Sequence, residues 1–331
     1  MNQNKTLSYN VHIYIVDYLK IQRNFSKNTI STYSYGFMKF IKFLKSQKID
    51  INTFEITHID YNLLLEYITF LRNEKNCSKT INNRIAIIKS FVEYTTIKFP
   101  EMLEIYRQLK QLKKIKEEVK IHKYLTIKEI HLIINEAKDN IKYLTMIAIL
   151  YNCALRVSEL ANLKVDDMNL NNNTFIIIEN GKGNKSRKLP LSKEVTKILN
   201  QYLKVYKPKY FVFENKYNTK YSNKGVSYIF EKYYNKAKEK CKDKTMFNPK
   251  PHCHLLRHSR GVHMVDAGIS LFEIKEFFGH SSISTTEIYA RSSQEQMKKI
   301  LENSSLNKKI NIKRSEKEQI DLELFLKNNI K

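Results

Sequence analysis

His254-Leu255-Leu256-Arg257-His258-Ser259, and further on Phe278-Gly279-His280-Ser281-Ser282-Ile283-Ser284-Thr285-Thr286-Glu287-Ile288-Tyr289, form the stretch from which fold and chemistry are both read. His254 and Arg257 are three residues apart, so a helix places them on one face. An imidazole that exchanges protons then stands beside a fixed positive charge, a pair suited to a phosphate whose charge grows during nucleophilic attack. Gly279 is placed to end one helix, the Ser and Thr cluster to start another, and Tyr289 falls within or just after that second segment. The histidines also raise a metal site as a competing idea. Neither a His-Glu-x-x-His arrangement nor a CxxC pair is present, so no metal is expected. Tyr289 alone carries no weight, because the chain has 21 tyrosines.

Working outward, Ala154-Leu155-Arg156-Val157-Ser158-Glu159-Leu160 sets Arg156 at the exit of an apolar helix, with Ser158 expected to cap the next one. A guanidinium there offers a rigid fork of donors to a phosphate, although a capping or surface arginine has the same appearance. Thr174 to Glu179 is a β-branched run, Asn180-Gly181-Lys182-Gly183-Asn184-Lys185 a glycine turn, and Arg187-Lys188-Leu189-Pro190-Leu191 a returning strand. Lys182 sits at the hairpin tip, either as a solvated turn lysine or as a flexible ammonium reaching into a substrate groove, where neighbouring cations would make it a proton donor.

The first third of the chain predicts helices, because apolar residues recur at three- and four-residue steps and Gly and Pro are almost absent. Tyr33, Phe37, Phe40, Ile41 and Leu44 form one stripe after a capping Ser26. Leu63, Leu64, Tyr67, Ile68 and Leu71 form a second, and Ile81, Ile85, Ile88, Phe91 and Val92 a third after Ser78. Leu109 to Lys123 turns densely basic and is expected to be a linker or exposed helix end. Thr126 and Glu129 then form a capping box, and Tyr143 to Tyr151 an apolar helix buried on most sides. The division expected is 1–108, a basic linker 109–123, a second domain 124–303, and a tail 304–331 with a docking helix at Glu316 to Lys327.

The 331 residues exceed one small core and fit two domains. A net charge of +25 gathers polyanions, although Lys- and Asn-rich composition has the same effect on the count without any function attached. No apolar run approaches the ~20 residues needed to span a bilayer. The start, MNQNKTLSYN, lacks a secretory pattern, and Cys77, Cys153, Cys241 and Cys253 have no paired spacing. These features lead to the expectation of a soluble, cytoplasmic protein with no membrane partner.

Taken in order, the arginine box Arg156 to Leu160, the hairpin Gly181-Lys182-Gly183-Asn184-Lys185, the His254 to Ser259 motif, Gly268, Phe278 to Ser282, Thr285-Thr286 and Tyr289 resemble the tyrosine recombinase, or phage integrase, family. The likeness spans about Tyr124 to Leu301 and, more weakly, the helical first third. Ser259-Arg260-Gly261 departs from the family's usual Thr or Ser with an apolar or aromatic neighbour. The fold so implied is mainly α with a small β-hairpin: a two-domain DNA clamp of helical core-binding (SAM-like) domain and catalytic domain. The resemblance also implies that Tyr289 attacks DNA to form a 3′-phosphotyrosyl bond and release a 5′-hydroxyl, with no cofactor. Arg156 and Arg257 would hold the nonbridging oxygens, Lys182 protonate the leaving oxygen, His254 assist proton transfer at the tyrosine, and His280 hydrogen-bond the phosphate. Glu159 would be the acidic orienting member, and Lys114, Lys116, Lys120 and Lys185 DNA contacts. The implied partners are double-stranded DNA with specific recombination sites, four protomers on two duplexes, and accessory proteins, in the service of a mobile element. A DNA-binding accessory protein that no longer cuts and a type IB topoisomerase are the competing readings.

Overall fold

The computed structural model describes residues 4–117, 123–171, 173–179 and 186–293. Two compact units result, Met1–Lys120 and Ile121–Lys331. Lys120, Lys182, Lys185 and the expected Glu316–Lys327 helix lie outside the described residues.

The first unit is helical: α1 (Leu7–Ile13) continuing into a π-helical stretch Tyr14–Gln22, α2 (Lys27–Ser46), α3 (Tyr61–Asn73), α4 (Ser78–Thr95) and α5 (Met102–Gln111). Two of these starts, those of α2 and α3, are capped by a side chain. The Ser26 hydroxyl accepts from Thr29 N at 3.2 Å, and the Asp60 carboxylate from Leu63 N at 2.7 Å. In α4 the expectation needs correction. Cys77 is the N-cap and Ser78 already helical, with Cys77 Sγ 3.3 Å from Thr80 Oγ1, so a thiol stands where the hydroxyl was expected. The three apolar stripes converge on one core, in which Phe37, Phe91 and Tyr14 meet edge to face with centroids 5.3–6.1 Å apart. Leu109 and Leu112, at the start of the basic stretch, are also buried there. Their spacing of three continues the apolar face of α5 into a run that its lysines made look like linker.

The second unit opens with the capping box: Thr126 Oγ1 accepts from Glu129 N at 3.2 Å, and Glu129 returns the bond to Thr126 N at 2.7 Å. The helices are α6 (Ile127–Glu136), α7 (Ile141–Asn152), α8 (Val157–Asn162), α9 (Lys193–Tyr206), α10 (Asn223–Lys240), α11 (Cys253–Asp266), α12 (Leu271–Phe278) and α13 (Glu287–Ser292). Apolar on nearly every side, α7 is the hub and packs on α6, α8, α9 and α11. The β element holds one strand more than expected. β1 (Met168–Asn169), β2 (Phe175–Ile178) and β3 (Arg187–Pro190) pair antiparallel in that order. Ile176, Ile178 and Leu189 turn one face to the core by period-two alternation, whereas β1 is too short to show any period. Ser158 does not cap α8. That helix begins at Val157 with Arg156 at the cap position, because Glu159 supplies the capping acceptor from inside the first turn.

A smaller apolar cluster joins α11, α12 and α13 through Val262, Val265, Ile274, Phe278 and Tyr289. It carries the chemistry-bearing face. Among the described residues, no helix is long and apolar enough to cross a membrane.

Candidate active site

Arg257 is the centre of the site and has no exposed surface. One guanidinium nitrogen donates to Ala154 O at 2.5 Å, the other to Phe278 O at 2.7 Å, and the group lies 4.5 Å from the Phe278 ring centre. Ala154 can offer its carbonyl because it turns into the left-handed region, φ +49°, between α7 and α8. Burial, aided by the charge of Arg156, brings the Arg257 pKa down to about 10. That value still leaves the group cationic at neutral pH. Among the described residues its Nε has no hydrogen-bond partner.

Beside it, Glu159 gathers guanidinium groups. Arg156 Nη1 reaches Oε1 at 2.6 Å, Arg187 Nη2 reaches Oε2 at 2.7 Å, and Arg257 Nη1 stands 3.9 Å from Oε2. Burial of Glu159 works against ionisation, but the hydrogen bond and charge of Arg187, with those of Arg156, outweigh it and hold the carboxyl below its ordinary range. Glu159 therefore fixes Arg156 from two sides, since it also accepts from the Arg156 backbone N–H at 2.8 Å.

The Gly279 turn delivers His280. Gly279 ends α12 in the left-handed region at φ +64°, which a glycine adopts without cost. His280 Nε2 lies 3.1 Å from Arg257 Nη2, and Nδ1 lies 3.0 Å from Thr286 Oγ1. A guanidinium can only donate, so Nε2 accepts and the single ring proton sits on Nδ1 toward Thr286. Burial first, then the charges of Arg257 and Arg156, push the His280 pKa down to about 4. His280 is a neutral imidazole at pH 7.

Tyr289 lies in α13 and is 3% exposed, its ring packed near His258, Phe278 and His280 at centroid distances of 5.3, 5.1 and 6.1 Å. Burial raises its pKa against the opposing pull of Arg257 and Arg156, so the group rests as a phenol. The ring lies directly on Gly261: a Cβ there would stand 2.7 Å from three ring carbons.

Arg156, His254, Arg257, His280 and Tyr289, five of the six catalytic residues expected from sequence, line one cavity of about 300 Å³. Glu159 stands behind it, holding two of the arginines. The sixth, Lys182, lies outside the described residues. Lys114 and Lys116 are exposed in the first unit. Sequence reasoning passed over Arg187, read only as the opening of a strand. The available signal was its alternation with Leu189, which puts both on the inward face of β3. It also gave no weight to the Gly261 seat, which depends on where a residue far along the chain comes to rest.

Residues 123–296 match the model of the phage integrase family, and residues 15–97 that of the phage integrase N-terminal SAM-like domain. The chain therefore belongs to the phage integrase family, the tyrosine recombinases that break and rejoin DNA at specific sites. Among its relatives is tyrosine recombinase XerA of Pyrococcus horikoshii, 31% identical over 293 residues, covering 87% of this chain and 91% of that one. Tyrosine recombinase XerC of Staphylococcus haemolyticus is 26% identical over 299 residues, covering 88% and 95%. In fold the chain is similar to XerH site-specific recombinase bound to palindromic difH substrate, with TM-score 0.68, 20% identity and coverage of 84% and 80%. It is similar also to Tn1549 transposon integrase in complex with transposon right end DNA, with TM-score 0.68, 18% identity and coverage of 88% and 98%.

Proposed function

We propose that Tyr289 is the nucleophile of a two-step transesterification on duplex DNA. Its oxygen forms a bond to phosphorus, the bond from phosphorus to O5′ breaks with its electron pair on the oxygen, and a 3′-phosphotyrosyl link remains. The phenol proton passes to His254, and Lys182 protonates O5′. Because one phosphoester replaces another, reversal by a different 5′-hydroxyl rejoins DNA without an external energy source. Arg156 and Arg257 hold the nonbridging oxygens as negative charge moves onto them. The observation that carries this reading is the gathering of Tyr289, the Arg156 and Arg257 guanidinium groups and the His254 and His280 imidazoles around one cavity.

The upward-shifted phenol gives His254 its task. A tyrosine that rests protonated attacks only if a base accepts its proton as the bond forms. His280, whose one N–H faces Thr286, bonds a phosphate oxygen only after its ring partners change, so it first serves to hold Arg257.

Specific recombination sites, a tetramer on two duplexes, accessory proteins, residence in the cytoplasm and service to a mobile element complete the proposal. XerH and Tn1549 integrase, as relatives in fold bound to DNA, support duplex DNA as partner. The two-domain clamp, with 1–108 and 124–303 gripping the duplex and 304–331 docking on a neighbour, is part of the same reading. The test is a nicked suicide duplex. Wild-type protein should accumulate a covalent adduct, and Tyr289→Phe should bind the DNA with unchanged affinity and yield none; adduct formation by the variant would overturn the assignment.

A further inference from the structure

Thr286 has no task in the chemistry above, yet it touches both His280 and the helix that carries Tyr289. It has no exposed surface and stands at the head of α13. Its hydroxyl oxygen lies 3.0 Å from His280 Nδ1, and its carbonyl accepts from Tyr289 N at 3.0 Å. The other ring nitrogen, Nε2, lies 3.1 Å from Arg257 Nη2, and the Phe278 and Tyr289 ring centres stand 5.3 and 6.1 Å from that of His280. His280 is therefore set between a guanidinium on one nitrogen and a hydroxyl on the other.

The two partners make different demands on the ring proton. Arg257 only donates, so at rest Nε2 accepts and the proton is on Nδ1, toward Thr286. A phosphate oxygen only accepts, so for His280 to bond one through Nε2 the proton has to be on Nε2. Turning the ring over does not achieve this, because it puts carbon atoms where both nitrogens now stand. The remaining route is a change of tautomer, after which Nδ1 needs a donor. A carboxylate or carbonyl in the place of Thr286 would lock the proton on Nδ1, whereas a hydroxyl accepts from one tautomer and donates to the other.

We propose that Thr286 is a positioning residue acting through His280: its hydroxyl is the reversible partner that lets the imidazole pass from holding Arg257 to donating to the DNA phosphate. The proposal rests on the reading of Tyr289 as nucleophile and His280 as a phosphate contact. In the exchange the ring gives its Nδ1 proton to water and takes one from water at Nε2, so its charge does not change. The Arg257 N–H that it releases turns to a phosphate oxygen, and the Thr286 O–H turns to Nδ1.

The experiment uses the full chain and duplexes enriched from a random pool by binding to Tyr289→Phe, with the cleavage position mapped by wild type. Solid-state nitrogen NMR spectra of Tyr289→Phe carrying isotope-labelled histidine are compared with and without the duplex, the His280 signals being those lost when His280→Ala is added. The ring proton should be on Nδ1 in the free protein and on Nε2 in the complex. Adduct formation is then timed at saturating nicked duplex. Thr286→Val keeps the side-chain shape but neither donates nor accepts; it should react about tenfold more slowly than wild type with DNA affinity retained, and Thr286→Ser should return to within about threefold. In a His280→Ala background Thr286→Val should slow the reaction no further. A proton that stays on Nδ1 in the complex, or losses that multiply in the double variant, overturns the assignment to Thr286. Should the valine variant not fold, the free and bound spectra with Thr286 in place decide alone. No adduct from wild type sinks the Tyr289 reading itself, and is distinct from wild-type adduct formed without a change of tautomer.

Discussion

His280 stays neutral because its surroundings are cationic as well as buried, and that has a cost measurable in folding. Its pKa falls from 6.5 to about 4 in the native state. The unfolded chain therefore takes up a proton that the native chain refuses, and stability present above pH 6.5 is lost as pH falls toward 4. His280→Asn removes this linkage. In urea denaturation the stability difference between wild type and variant should shrink by on the order of 1 kcal/mol from pH 7 to pH 5, allowing for partial exposure of the ring. A difference that does not vary with pH would show that His280 titrates alike in both states. Gly261 makes a second prediction at this scale. In Gly261→Ala the new methyl falls 2.7 Å from the Tyr289 ring, closer than carbon atoms approach, so the ring must leave its seat. Adduct formation should drop at least about tenfold with DNA affinity retained; unchanged adduct rates would mean the ring reacts from elsewhere. His254 and Arg257 were legible from a spacing of three that puts both on one helix face, and His280 and Tyr289 only from the order of motifs that resembles the family. Gly261 and Ala154 were not, since their importance lies in backbone shape and in a neighbour supplied by distant chain.

At the scale of elements, starts and stops were read well wherever a short side chain caps its own helix. Ser26, Thr126 with Glu129, and Gly279 each act within four residues, so local sequence contains the whole interaction. Arg156 departs from that pattern because its helix is capped from inside by Glu159, whose partners arrive from β3 and α11. The short α13, which carries Tyr289, poses the opposite problem: six residues are too few to hold a helix by themselves. Its last turn is anchored instead, with Ser292 Oγ donating to Ile288 O at 2.9 Å and Ser293 Oγ donating to Asp266 at the end of α11. Asp266→Ala combined with Ser293→Ala should loosen the nucleophile's helix. Amide hydrogen exchange over 287–292 should accelerate by roughly tenfold, the equivalent of one lost charge-assisted bond, while α7 stays protected. Equal acceleration in α7 would show instead that the pair supports the entire second unit.

For the whole molecule, charge and function are tied only through geometry. The excess of +25 is compatible with a solvated lysine surface as much as with a duplex-binding one. Salt dependence separates the two. Each phosphate contact displaces condensed counterions and adds about 0.9 to the slope of log affinity against log salt concentration, whereas a lysine that merely sits in solvent adds nothing. Lys114 and Lys116 are exposed just beyond α5, in the basic stretch between the two cores. If both meet the DNA backbone, the Lys114→Gln, Lys116→Gln double variant should flatten that slope by about 2 and weaken binding to any duplex sequence alike. Fluorescence anisotropy titrations of one labelled duplex, from low to physiological salt, measure the slope directly. The phosphate-contact assignment fails if the slope is unchanged, and a loss confined to one sequence would place the lysines against base edges rather than the backbone.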